Sequence, residues 1–165
     1  MHEVDPVNAR CIIITISDTR TIETDKSGKL IKELLHREEH NCIDHVIVKD
    51  EKLAISKQID YAVSNKETDI ILMTGGTGIS NRDITIEVVE EKITKHLPGF
   101  GEVFRMLSYT EDIGSRAIMS RATAGRIGDK FIFAMPGSSG AVKLAMTKLI
   151  LPEISHLLFE LQKNK

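Results

Sequence analysis

The sequence predicts a three-layer α/β/α domain whose sheet is mostly parallel with one antiparallel strand, and three observations carry that reading. Apolar runs and helix-period segments alternate as strand–helix–strand–helix–strand–helix over the first hundred residues, the pattern of parallel strands joined by crossover helices. The strand-like runs are apolar at consecutive positions, as strands covered on both faces must be. Further on, two β-like runs meet across Gly128-Asp129, a hairpin that supplies the antiparallel strand.

Each element has its own signal. "RCIIITIS" (10–17) is rich in β-branched residues and reads as the first strand. "DKSGKLIKELLHREEH" (25–40) places Leu30, Ile31, Leu34 and Leu35 on one helical stripe. "CIDHVIV" (42–48) is a second strand, and "EKLAISKQIDYAVSN" (51–65) a helix with Ile55, Ile59, Ala62 and Val63 on one face. "DIILMT" (69–74) is the third strand and runs straight into glycines. A helix is expected from about Ile84 towards His96, broken by "LPGFG". "GEVFRMLSYT" (101–110) looks helical, and "SRAIMSR" (115–121) is ambiguous between coil and a short helix. "ATAGRI" and "KFIFAMP" flank the Gly-Asp turn, and a closing helix over 139–162 should bend or restart at Pro152. No repeat, linker or low-complexity tract interrupts the chain, so residues 1–165 are expected to form one domain.

Composition excludes several classes. Charged residues make up 28% and the formal net charge is −2, so no strong field favours nucleic acid or an acidic membrane surface. The apolar stretches are too short and interrupted to span a bilayer. "MHEVDPVNAR" is acidic and polar where a signal peptide would be basic and then apolar. A cytoplasmic protein is expected, with Cys11 and Cys42 buried and free and no CxxC to suggest a redox pair.

The most informative stretch is "MTGGTGISNRD" (73–83). It follows a buried strand and precedes a helix, at the sheet edge where ligands bind in open α/β folds. Glycines let successive amides converge on an anion, and the next helix adds partial positive charge. The known phosphate fingerprints do not match. No lysine occurs between Lys66 and Lys92, which excludes a Walker loop, and Asn81 stands where a dinucleotide fingerprint needs glycine. An ordinary βα turn needs only one or two glycines, so three with two threonines favour anion binding.

Asp83 and Asp50 each precede a predicted helix, and helix capping alone would explain both. They also reach the same sheet edge as the glycine loop, where two carboxylates facing phosphate call for Mg²⁺ between them. Asp18, after the first strand, either caps a turn or joins that edge. "HREEH" (36–40) fits a zinc-peptidase spacing, but His36 and His40 are expected opposite the buried stripe, in solvent, without a third ligand. "MPGSSGAVK" (135–143) ends a strand and starts a helix, with Ser138 or Ser139 as cap and Pro136-Gly137 as a second candidate ligand edge. Arg116, Arg121 and Arg126 read as surface charge.

These pieces together resemble one family. "TISDTR", "TDKSG", "VKDE", "DIILMTGGTGISNRDITIE", "LPGFGEVFR", "SRATAG" and "AMPGSSGAV" occur in the order seen in the MoaB/MogA family of molybdenum-cofactor biosynthesis proteins. The match covers nearly the whole chain, and its length is most like the MoaB branch. Thr85-Ile86 departs from a frequent Thr-Pro, and Ser138-Ser139 from a Ser- or Asn-Pro pair.

The resemblance implies a MogA-like molybdopterin-binding fold assembled as a homotrimer or homohexamer. It implies a nucleotidyltransferase reaction, the adenylylation of molybdopterin by Mg-ATP with release of pyrophosphate. Carried over, Thr74, Gly75, Gly76, Thr77 and Gly78 would hold phosphate, and Asp50 and Asp83 would be the catalytic acids and tentative Mg²⁺ ligands. Ser17, Asp18, Ser27, Pro136, Gly137, Ser138 and Ser139 would line the pterin and nucleotide site. Expected partners are molybdopterin, ATP and other proteins of the pathway, with no nucleic acid, no membrane and no tightly bound transition metal. The alternative is a non-catalytic molybdopterin-binding or carrier protein in the same pathway.

Overall fold

Six consecutive residues of β1 (Arg10–Ile16), from Cys11 onward, are buried, because this strand lies inside a sheet covered on both faces. The structure is a computed structural model and describes residues 5–163. After β1 come α1 (Lys26–Arg37), β2 (Asn41–Val48), α2 (Lys52–Ser64), β3 (Ile70–Thr74) and α3 (Thr85–Lys92). Then follow β4 (Lys95–His96), α4 (Pro98–Glu111), a 3₁₀ segment (Gly114–Met119), β5 (Thr123–Ile127) and β6 (Lys130–Met135). The chain closes with α5 (Ser139–Ala145), a π turn (Met146–Ile150) and α6 (Leu151–Gln162).

The sheet order is β2-β1-β3-β6-β5-β4. β2, β1, β3 and β6 are parallel, whereas β5 runs antiparallel to both β6 and β4. The mostly parallel sheet with one reversed strand is therefore as the sequence predicts. One apolar cluster packs α1, α4, α5 and α6 on one face, through Ile31, Leu35, Phe104 and Ile154. The other packs α2 and α3 through Ile55, Ile59, Ile86 and Val89. Each such side chain, fully buried, contributes about 1.5–3 kcal/mol of transfer free energy.

Several boundaries differ from the sequence reading, each for a local reason. "LPGFG" ends no helix; Pro98 opens α4 at its first turn, where its missing N–H costs nothing. The predicted 84–96 helix stops at Lys92, and Lys95 and His96 pair with Arg126 and Gly125 as a two-residue edge strand, too short for periodicity to register. The ambiguous 115–121 stretch is mostly the 3₁₀ segment. The closing helix restarts at Pro152 as expected: α5 passes into the π turn and α6 begins at Leu151 with Pro152 in its first turn. The π turn immediately before it widens the spiral, which accommodates the ring and its missing donor.

His40 corrects the expectation of a solvent-facing pair. His36 is exposed, but α1 ends at Arg37, so helical spacing no longer governs residue 40. Glu39 turns the chain with φ 63° and His40 is buried, its Nδ1 accepting from the Ala9 amide at 2.9 Å. Burial pushes its ring pKa down. Cys11 and Cys42 are free thiols; Cys11 is buried as expected, Cys42 only half-buried.

Candidate functional site

β1 and β3 are sheet neighbours although β2 lies between them in sequence, so their connections leave in opposite directions and open a crevice beyond their carboxyl ends. A cavity of about 680 Å³ lies there, within the size range of small-ligand sites. It is lined by Thr15 and Ile16 of β1 with Ser17 just beyond them, and by Thr74–Gly78 at the end of β3; Pro136, Gly137 and Ser138, which follow β6, also line it.

Gly75 and Gly76 adopt φ of 99° and 67°, a left-handed pair that a side chain would strain. Gly75 donates to Met135 O at 3.1 Å, and Gly76 O accepts from the Thr85 amide at 3.0 Å, so the loop is tied to β6 and to α3. Thr74 Oγ1 donates to Pro136 O at 2.9 Å. Among the described residues, no hydrogen bond uses the amides of Gly76, Thr77 or Gly78 as donors. Three successive amides beside a cavity make an anion cradle.

The two aspartates are not helix caps. The N-cap of α3 is Ile84 and that of α2 is Glu51, neither with a side-chain cap bond. Asp83 lines the cavity, and its Oδ2 accepts from Ser80 N at 3.1 Å and Ser80 Oγ at 2.7 Å. Asp50 Oδ1 is buried with no hydrogen-bond partner. Burial first, then the charges of Asp83 and Asp18, push its carboxyl pKa up against the pull of Arg82. Asp18 accepts from the Asp50 amide at 3.0 Å and pairs with Arg82. Three loops, following β1, β2 and β3, thus converge three carboxylates and one arginine. The described residues contain no group of three His, Cys, Asp or Glu side chains able to hold a metal ion alone. Asp50 and Asp83 suit Mg²⁺ only if phosphate oxygens complete its shell, which is how Mg²⁺ is usually held.

The remaining predicted residues divide. Ser17 lines the cavity while its Oγ accepts from the Thr19 and Arg20 amides at 3.2 and 3.1 Å. Ser138 lines it and also caps α5 through Ala141 N. Asp18, Asp50, Ser27 and Ser139 are not on the cavity wall. Ser27 is buried and donates to Gly137 O at 2.6 Å, which fastens α1 to the 136–138 loop. Behind Thr15, whose Oγ1 donates to Asp25 Oδ2 at 2.5 Å, Asp25 also accepts from Gly28 N and lies 2.9 Å from His45 Nε2. Burial raises the Asp25 pKa, but those bonds outweigh it and hold the carboxyl below its usual range.

Sequence reasoning missed the arginines. Arg20, Arg116 and Arg121 all line the cavity. Arg121 Nε donates to Thr77 O at 3.1 Å and Gly78 O at 3.0 Å; its Nη2 donates to Asp83 O at 3.1 Å. The same guanidinium pairs with Glu87, which holds that carboxyl below its ordinary pKa. The signal that would have found it is the hairpin itself. β5 is antiparallel, so the residues entering it sit at the carboxyl edge of the parallel strands.

A family model described as a probable molybdopterin binding domain matches residues 12–156. The chain belongs to the MoaB/MogA family of molybdenum-cofactor biosynthesis proteins. It is 56% identical over 160 residues to molybdenum cofactor biosynthesis protein B of Bacillus subtilis, covering 97% of this chain and 94% of that one. A crystal structure of a molybdenum cofactor biosynthesis protein B superposes with a TM-score of 0.94 at 54% identity, over 97% of this chain and 99% of that one. The tungsten cofactor synthesizing protein MoaB of Pyrococcus furiosus follows at 0.83 and 36%, over 96% and 99%. The six-stranded sheet with its reversed β5 is therefore the MoaB/MogA fold, and the glycine loop lies inside the matched span.

Proposed function

We propose that the chain binds molybdopterin and ATP and transfers the adenylyl group of ATP to the terminal phosphate of molybdopterin. The observation that carries this reading is Asp50. A buried carboxylate oxygen without a protein hydrogen-bond partner, beside two further acids, favours the arrival of a cation and its phosphate ligands.

The reaction asks little covalent chemistry of the protein. A phosphate oxygen of molybdopterin, already ionised, forms a bond to the α-phosphorus of ATP; the bond to the bridging oxygen breaks and pyrophosphate leaves. No serine or histidine base is needed, and none is placed at the cavity as one. The amides of Gly76–Gly78 orient and neutralise phosphate, Ser80 and Arg121 fix Asp83 and its loop, and the cavity arginines offset charge. Asp50 and Asp83 would be the residues that hold Mg²⁺, whose chemistry there would be neutralisation of phosphate charge. Incubation with molybdopterin, ATP and Mg²⁺ should yield adenylylated molybdopterin and pyrophosphate in equal amounts. Binding of molybdopterin without product would replace this reading by that of a carrier.

A further inference from the structure

A cavity of about 680 Å³ has room for more than one phosphate, yet the amides of Gly76–Gly78 form only one cradle. The arginines around the cavity differ in how far they are already engaged. Arg82 is paired with Asp18, Arg121 is taken up by three carbonyls and Glu87, and Arg20 lies 3.8 Å from the buried Asp25. Arg116 differs. It lines the cavity, it is exposed, and among the described residues it has no hydrogen bond or ion pair. An unpaired arginine on an open surface would mean nothing; this one stands on a cavity wall.

We propose that Arg116 is a second anion subsite, which grips the oxyanion next along a polyphosphate or phosphate ester whose neighbouring phosphate sits on the glycine loop. Its carrier segment is built to hold it there. Gly114 enters the 3₁₀ turn with φ 62°, Ile113 N donates to Ser108 O at 2.9 Å, and Ala117 is buried at 3% exposure. Ser120 N closes the far end on Ala117 O at 3.0 Å. The backbone is fixed while the guanidinium stays uncommitted, the condition for a planar fork that takes two oxygens of one anion. Arg121, by contrast, is a positioning residue that acts through the loop. The inference rests on the polyanion reading of this cavity and not on adenylyl transfer.

The probes are pyrophosphate and orthophosphate, titrated calorimetrically into the whole chain. Wild type should bind pyrophosphate more tightly than orthophosphate. Arg116→Gln should weaken pyrophosphate by about tenfold or more, the loss of a charge-assisted pair, and change orthophosphate affinity much less. Arg116→Lys should lie between, keeping charge but not the fork. Both variants should melt with wild type, since Arg116 has no internal partner to lose. Equal pyrophosphate affinity in Arg116→Gln and wild type overturns the proposal, as does a wild type that does not prefer pyrophosphate. The expected affinity pattern in a chain that makes no adenylylated product supports the subsite while refuting the transfer reaction.

Discussion

Asp83 and Asp50 make opposite demands at the scale of single residues. Asp83 Oδ2 accepts two bonds from Ser80, and an asparagine carbonyl oxygen can accept both. Asp83→Asn should therefore melt close to wild type, within about 1 kcal/mol for neutral acceptors of this kind, while adenylylation falls by orders of magnitude. Product formation near the wild-type rate would show that Asp83 only shapes its turn. Asp50 has a raised pKa, so its ionised form opposes folding. That cost is present above the raised value and disappears as pH falls below the ordinary 3.8. Asp50→Asn should consequently melt above wild type at neutral pH without ligand, with the gap closing under acid; a lower melting point at pH 7 would contradict it. Asp25 has the reverse sign. Its pKa is lowered, so its contribution is full above the unfolded value and is lost as pH falls through the folded one. Denaturant unfolding of Asp25→Asn should show a flatter acid dependence than wild type.

At the scale of elements, the glycine loop is both a turn and a cradle. Gly76→Ala would place a Cβ at φ 67° against Thr85 Oγ1 and 3.1 Å from Ile16 Cγ2. We expect a loss of about 1–3 kcal/mol for the strained backbone, an unchanged circular dichroism spectrum at room temperature, and no pyrophosphate binding by calorimetry. Retained binding would reduce the loop to a chain reversal. The strands and the loop were legible in the sequence because apolar runs and paired glycines are local signals. So were Ser17 and Ser138, which follow strand ends, and Asp83, which closes the glycine-rich stretch just before α3. Other features had no local signal. β4 is two residues long, the π turn answers a proline six residues downstream of its first residue, and His40 is buried through Ala9, thirty-one positions away in the chain. Arg116 and Arg121 were unreadable for the same reason, since only the reversal of β5 carries them to the site.

For the whole molecule, the family resemblance leads us to expect a closed trimer or hexamer, and light scattering that reports a monomer at micromolar concentration would refute it. The outer side of α4 shows Val103, Met106 and Tyr109 at three-residue spacing, 38%, 57% and 59% exposed, near Ile118 at 86%. We expect the assembly to cover this face, and Met106→Glu should shift the population to smaller species. The architecture also has a consequence in time. The glycine loop is tied to residues far along the chain, Thr74 to Pro136, Gly75 to Met135 and Thr77 to Arg121, and the neighbouring 136–138 loop is tied back to Ser27 of α1 through Gly137. Such separations are closed late, because loop entropy must be overcome before distant contacts form. A chain still emerging from the ribosome has its paired glycines early but lacks the residues that shape them into a cradle. Capture of a phosphate-bearing ligand on this loop would thus wait until synthesis has passed β6.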